Sequence, residues 1–286
     1  MMRSLLFVPG DSTRKFDKAR LTNADLLILD LEDSVAEEQK IAARSEVAMK
    51  LQADRAGKLV YVRVNDFGTG LTAGDLAAVM PGRPDGIMLP KSTGGDDIRR
   101  LSHMLDALEA VEGIAAGETG IIPVATESAG AVLGLQSYIS AGPRLRGLLW
   151  GGEDLAADLG ATENREDEGY TAPFLLARNL CLMAATAAGV PAIDAVYTNI
   201  RDLSGLAAET RQARRDGFAA KALIHPAHID IVNAIFAPTE KELAWARQVL
   251  AALEEHTGTG VVSIDGMMID KPHERAARRI IAAAGG

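Results

Sequence analysis

Eight short apolar runs, separated by longer stretches of mixed polarity, constrain this chain more than any other feature. They cover residues 5–8, 26–31, 59–64, 86–90, 121–126, 145–150, 192–197 and 220–224. Each run is continuous rather than alternating, which is the pattern of parallel strands buried on both faces. The stretches between them read as helices. Residues 96–111 place Ile98, Leu101, Leu105 and Leu108 on one face, and residues 173–188 are almost wholly apolar. Eight βα units in series, each returning by a right-handed crossover, predict a closed (β/α)8 TIM barrel; an open doubly wound sheet is the alternative. The length of 286 residues suits one barrel of about 250 residues with an appendage.

Residues 238–286 fall outside the repeat. Thr239 followed by Glu242 is a capping box that opens a helix through about Glu254. Residues 256–260 turn, residues 261–269 fit a hairpin around Asp265-Gly266, and Pro272 opens a terminal helix at its first turn. The expected division is a catalytic barrel over 1–237 and a C-terminal helical and hairpin extension over 238–286. The extension is either a packing cap or a lid over an active site.

Charge and cysteine content narrow the partners. A formal net charge of −9 repels nucleic acid and anionic membrane surfaces, so neither is expected. An anionic substrate must therefore be drawn by local cations or a metal. The single cysteine, Cys181, sits in an apolar run and fits a reducing, cytoplasmic setting. No apolar run reaches the roughly 20 residues of a membrane span. The apolar start at 5–8 is stopped by Pro9-Gly10-Asp11 and reads as a strand, not a signal peptide.

A barrel of this type carries its chemistry at the C-terminal ends of its strands. After the second run come Asp30, Glu32 and Asp33; after the third, Arg63, Asn65 and Asp66; after the fourth, Lys91; after the fifth, Glu127. After the sixth come Glu153 and Asp154; after the seventh, Tyr197 and Asn199; after the eighth, His225. Acids gathered at one mouth repel each other unless a cation sits among them. Oxygen ligands without a Cys/His cluster point to Mg²⁺ or Mn²⁺, and magnesium takes only one or two carboxylates. Each residue also has a plain role. Asp30 can cap the next helix, and Glu32 and Asp33 can be first-turn acids. Arg63 points either into the barrel or out to the helices. Lys91 is a Schiff-base lysine or a salt-bridge partner, and His225 reads as a satisfied core histidine. The first βα loop holds Arg14, Lys15 and Lys18 in the opening turns of a helix that Asp11 or Ser12 can cap. That face suits phosphate or plain solvent.

Eight segments, in order and over almost the whole chain, resemble the citrate lyase β-subunit-like enzymes of the HpcH/HpaI aldolase superfamily, near the malyl-CoA and citramalyl-CoA lyases. They are Arg3-Ser-Leu-Leu-Phe-Val-Pro-Gly10, Leu29-Asp-Leu-Glu-Asp-Ser-Val35, Val62-Arg-Val-Asn65, Met88-Leu-Pro-Lys91, Thr126-Glu-Ser128, Trp150-Gly-Gly-Glu-Asp-Leu155, Lys221-Ala-Leu-Ile-His-Pro226 and Gly266-Met-Met-Ile-Asp270. The resemblance implies a homotrimer and reversible carbon–carbon cleavage of a β-hydroxyacyl-CoA to an acyl-CoA and a 2-keto acid. It implies Mg²⁺ on Glu127 and Asp154, with Glu32 and Asp33 orienting metal-bound water. It implies Arg63 on the keto-acid carboxylate or developing oxyanion, and Arg14, Lys15 and Lys18 at the CoA phosphates. Asp270 would act as proton donor in a neighbouring subunit's site. Competing expectations are a citrate lyase β-subunit using a carrier-protein thioester, a CoA-independent pyruvate aldolase, a Schiff-base aldolase at Lys91, and a non-enzymatic acyl-CoA-binding barrel. The segment 30–35 has no histidine, which disfavours the pyruvate aldolase.

Overall fold

The computed structural model describes residues 2–166, 169–255, 261–264 and 266–285. The chain divides into two compact units, Met2–Asn233 and Ala234–Gly286.

The first unit is built on eight parallel strands: β1 (Ser4–Pro9), β2 (Leu26–Asp30), β3 (Leu59–Arg63), β4 (Gly86–Leu89), β5 (Gly120–Pro123), β6 (Leu148–Leu149), β7 (Ala192–Asp194) and β8 (Ala220–Leu223). The eight predicted runs correspond to them one for one. Consecutive strands from β1 to β5 pair in parallel, β8 pairs with β1, β7 with β8 and β6 with β7. Parallel bridges Ile121↔Leu145 and Val124↔Leu149 link β5 to the sixth segment, so the sheet returns on itself. This is a (β/α)8 barrel rather than an open sheet.

Helices alternate with the strands: α1 (Thr13–Ala19), α2 (Lys40–Gln52), α3 (Thr72–Val79), α4 (Gly95–Glu112), α5 (Ala129–Gly134), α6 (Glu153–Leu159), α7 (Ala172–Ala187) and α8 (Leu203–Asp216). In α4, Ile98, Leu101 and Leu105 are buried as the pattern predicts. The next buried position is Glu109, not Leu108, because Arg144 reaches in to its carboxylate at 2.6 Å.

Strand parity decides what faces the barrel axis, since successive side chains point to opposite faces. The interior cluster contains Leu5, Leu26, Ile28, Tyr61, Met88, Ile122, Leu149, Ile193, Ala220 and Ala222. Two residues further along their strands, Asp30 and Arg63 therefore point inward at the mouth. Asp194 and Lys221, one residue from interior positions, point outward to the helix layer. The sixth and seventh strands are shorter than their apolar runs. Trp150 turns its indole nitrogen to Asp194 at 2.8 Å, and Tyr197 donates its hydroxyl to Asp202 at 2.7 Å instead of continuing the ladder.

After α9 (Ile229–Phe236), the second unit consists of α10 (Glu240–Glu255), an antiparallel pair β9 (Val262–Ile264) and β10 (Met267–Ile269), and α11 (Lys271–Ala284). Thr239 and Glu242 form the predicted capping box, the Glu242 amide donating to Thr239 Oγ1 at 3.2 Å and the Thr239 amide to Glu242 Oε2 at 2.7 Å. The predicted turn at 256–260 and Asp265 of the hairpin lie outside the described residues. Ala246, Val249, Val262, Ile264, Ile269 and Ala277 form this unit's own core.

Candidate active site

The mouth of the barrel opens on a cavity of about 380 Å³ lined by Asp30, Asp33, Arg63, Glu127, Trp150, Gly151, Glu153 and Asp154 among others. Two neighbouring strand ends supply the acids of the expected metal pair. Thr126 ties them together, because its hydroxyl donates to the Gly151 carbonyl at 3.0 Å and accepts from the Gly151 amide at 2.9 Å. Glu127 follows directly, ahead of Ser128, which caps α5 by accepting from the Ala131 amide at 3.1 Å. Asp154 lies in the first turn of α6. Gly151 allows this close approach, since a Cβ there would lie 3.1 Å from Val124 Cγ1 and 3.4 Å from Glu127 Cγ.

Across the mouth, Asp30 and Arg63 form a buried two-pronged pair, with Nε to Oδ1 and Nη2 to Oδ2 both at 2.7 Å. Asp30 also accepts from the amides of Glu32 at 2.9 Å and Ser34 at 3.1 Å. It therefore caps the turn and anchors the arginine at once. Burial opposes its ionisation, but the Arg63 hydrogen bonds and charge hold its carboxyl below the usual range. The remaining Arg63 nitrogen, Nη1, lies 2.8 Å from Glu32 Oε2 and 3.2 Å from Asp33 Oδ2. The guanidinium carbon rests 4.8 Å from the centre of the Phe7 ring. Arg63 thus enters the cavity already engaged on every nitrogen, and Asp33, the most exposed of its partners, is the one a ligand displaces most cheaply.

Lys91 joins the two sides. Its backbone has φ +51°, rare outside glycine. In that conformation its amide donates to Glu127 while its ammonium pairs with Glu32 and stands 3.9 Å from Asp154 Oδ1. Burial lowers the Lys91 pKa, but Glu32, Glu127 and Asp33 outweigh it and raise the group above an ordinary lysine. A charged ammonium is a poor Schiff-base nucleophile, and the contact Lys91 makes here is the ion pair with Glu32.

Glu127 shows the electrostatic state of the mouth. Burial first, and then the charges of Glu32 and Asp154, push its carboxyl up to about 8 against the opposing amide and charge of Lys91. Glu32 is also raised, by burial and by Asp33, against the pull of Arg63 and Lys91. Among the described residues no group of three or more His, Cys, Asp or Glu side chains stands ready as a metal cluster. What the mouth has is an all-oxygen pair, Glu127 and Asp154, under like-charge stress, together with Glu32 Oε2, which meets Arg63 Nη1 at 2.8 Å as an ion pair without a well-formed hydrogen bond. That donor set fits a hard divalent cation completed by water or substrate oxygens.

The other predicted residues lie elsewhere. Arg14, Lys15 and Lys18 are exposed on α1 and do not line the cavity. Ser12 is the cap position of α1, but its side chain makes no capping bond. Asp270 caps α11 in the second unit, with Oδ1 2.7 Å from His273 Nδ1. His225 caps the short turn after β8, its Nδ1 accepting from the Ala227 amide at 3.2 Å. Sequence reading missed the Asp30 anchor and the double grip of Lys91. The first was signalled by an acid and an arginine at matching places on adjacent strands, Asp30↔Arg63. The second depends on a backbone angle that no residue type announces.

The HpcH/HpaI aldolase/citrate lyase family matches residues 3–226. A (3S)-malyl-CoA thioesterase of Cereibacter sphaeroides is 36% identical over 285 residues, covering 99% of this chain and 94% of the relative. The mitochondrial citramalyl-CoA lyase of Rattus norvegicus is 34% identical over 300 residues, covering 99% and 86%. The crystal structure of CitE from Mycobacterium tuberculosis, in complex with magnesium, acetoacetate and coenzyme A, superposes with a TM-score of 0.79 at 34% identity, covering 99% of this chain and 98% of that one. On this evidence the chain belongs to the HpcH/HpaI aldolase/citrate lyase family and is a lyase built on a (β/α)8 barrel.

Proposed function

We propose that the protein cleaves a β-hydroxyacyl-CoA to an acyl-CoA and a 2-keto acid, with Glu127 and Asp154 holding Mg²⁺. The observation that carries this reading is the excess of carboxylate at the mouth. Asp30, Glu32, Asp33, Glu127, Glu153 and Asp154 face Arg63 and Lys91 alone among the described residues, and Glu127 is pushed up to about 8. Bound there, Mg²⁺ would supply Lewis-acid polarisation of substrate oxygens. Mn²⁺ offers the same coordination chemistry.

The chain's own groups do the rest. Arg63, held rigid by Asp30 and seated on Phe7, presents Nη1 to the keto-acid carboxylate or to its developing charge once Asp33 gives way. Glu32, fixed by Arg63 and Lys91, and Asp33 orient water at the mouth. Apolar walls from Phe7, Val124, Leu149, Trp150 and Val196 restrict bulk water. The basic face of Arg14, Lys15 and Lys18 meets the CoA phosphates. Asp270 delivers the proton to the carbon released as the thioester enolate, with the Ala234–Gly286 unit acting as a lid on a neighbouring subunit of a homotrimer. The names of the relatives and the magnesium and coenzyme A bound to CitE support this reading.

The deciding assay is a panel of malyl-, citramalyl-, citryl- and hydroxymethylglutaryl-CoA, run with Mg²⁺ and with EDTA. A carrier-protein thioester and the free hydroxy acids are included as controls. Magnesium-dependent release of an acyl-CoA and a keto acid from one CoA substrate is the expected result. Release of free CoA without a keto acid would make the chain a thioesterase. Turnover of the carrier thioester alone would make it a lyase subunit. Asp270→Asn should bind substrate yet lose turnover.

A further inference from the structure

Lys91 places one residue on both sides of the mouth, and no plain structural role requires that. Its amide fixes Glu127, and its ammonium pairs with Glu32 and stands 3.9 Å from Asp154. Both grips are made from a left-handed backbone at φ +51°, where any residue other than glycine is strained. The ammonium is the one cationic group on the Asp154 side of the mouth among the described residues, because Arg63 is occupied by Asp30, Glu32 and Asp33. It is also mobile in principle, since the side chain is 39% exposed and held at its tip by acids alone.

We infer that Lys91 is a built-in counter-ion for the acid cluster. Its amide orients Glu127 for a divalent cation, and its ammonium occupies the shared field of Glu32 and Asp154 until that cation arrives. Lys91 is then a positioning residue with two opposed effects. The amide helps the cation bind, and the ammonium competes with it. A positive charge about 4 Å from a carboxylate is worth enough, even after solvent screening, to weaken divalent binding about tenfold. The competition relieves part of the like-charge repulsion in the cluster without metal. Once displaced, the ammonium remains beside Glu32, whose carboxylate it continues to fix.

This inference rests on Glu127 and Asp154 being the metal pair. The experiment titrates Mn²⁺ calorimetrically into the full-length wild type, Lys91→Met, Lys91→Arg and Lys91→Gly, with no substrate present. Lys91→Met should bind Mn²⁺ about tenfold more tightly than wild type, and its metal-free melting temperature should fall more than its metal-loaded one. Lys91→Arg, which restores the charge, should return the affinity toward wild type. Lys91→Gly keeps the amide and suits the backbone angle, so it tests loss of the ammonium even where the methionine variant folds poorly. Equal or weaker binding by both charge-free variants overturns the inference and leaves the metal pair standing. Absence of Mn²⁺ binding in every protein, wild type included, overturns the metal pair and the inference together.

Discussion

Two of the barrel's buried charge clusters differ in how they balance. In the helix layer, Asp194, Glu209 and Asp216 meet Lys221, Arg178 and Arg165. Three acids there meet three inner bases, and exposed Arg215 adds a fourth at Asp216. Lys221 reaches Asp194 at 2.6 Å and Glu209 at 2.8 Å, Arg178 reaches Asp194 at 3.1 Å and Asp216 at 2.8 Å, and Trp150 adds a hydrogen bond to Asp194. Burial disfavours ionised Asp194, but Lys221 and Arg178 keep its carboxyl below the ordinary range. At the mouth, six acids face two bases among the described residues, and Glu127 moves the opposite way. A balanced cluster has met its own electrostatic needs and serves the fold. An unbalanced one awaits a ligand, and an active site tolerates such stress because the charge is used there.

The sharpest way to break the comparison is to neutralise one charge in each cluster. Glu127→Gln should lower turnover by about 10³-fold, the loss expected when a metal ligand goes. It should leave the metal-free urea midpoint unchanged or raised, because it removes like-charge repulsion. Lys221→Met should do the reverse. It leaves buried Asp194 and Glu209 short of a partner, and should reduce stability by about 3 kcal/mol. The folded fraction should keep near-normal turnover. Urea unfolding and steady-state kinetics on both variants decide the matter. A Glu127→Gln enzyme that is destabilised yet active, or a Lys221→Met enzyme that is stable yet inactive, would reverse the assignment.

That difference also marks what the sequence made legible. The eight strands were readable because continuous burial on both faces forces continuous apolar runs. The strand ends gave only a set of acids, from which the resemblance singled out Glu127 and Asp154, and both line the mouth cavity. Arg63's direction was open from its own neighbours, and became fixed only when Tyr61 and Ile28 proved to face the axis. The outer cluster was overlooked, although its signal was present. Asp194 and Lys221 each interrupt an apolar strand, and two opposite charges on adjacent buried strands must answer each other. Lys91 was read as a choice between two chemistries because its backbone angle is set by tertiary contacts, not by residue type. The basic residues of α1 were placed on their helix correctly. Their distance from the cavity lining follows from the helix facing solvent, which the local pattern does not reveal.

A second, smaller effect separates the clusters by pH. Glu127 has a folded-state pKa of about 8 in the metal-free protein, above the ordinary glutamate value of 4.5. The folded state therefore binds this proton more tightly than the unfolded chain. Its stabilising contribution is full below about 4.5 and is lost as pH rises through about 8. The metal-free melting temperature should decline between pH 5 and pH 9 on the order of a few degrees. Saturating Mg²⁺ or the Glu127→Gln substitution should flatten the decline. Asp194, lowered in the fold, contributes in the opposite sense and only at acid pH, so it does not enter this window. A metal-free protein whose melting temperature rises across the range would show that Glu127 is not under the stress described.

The smallest expected effect lies outside both clusters. Arg14, Lys15 and Lys18 are exposed, so each is worth little against a CoA phosphate in water. Replacing Arg14 and Lys18 together by alanine should raise KM for the CoA thioester by roughly three- to tenfold at low ionic strength and leave kcat unchanged, because contacts to a remote phosphate are the same in ground and transition states. Raising the salt should shrink the difference, since screening acts first on exposed charges. The same substitutions should not change the Mn²⁺ affinity if the proposed pair in the mouth holds the metal. An unchanged KM at every salt concentration would return α1 to the status of a solvated face. The acyl-CoA would then have to be held by another part of the surface, with the mouth chemistry unaffected.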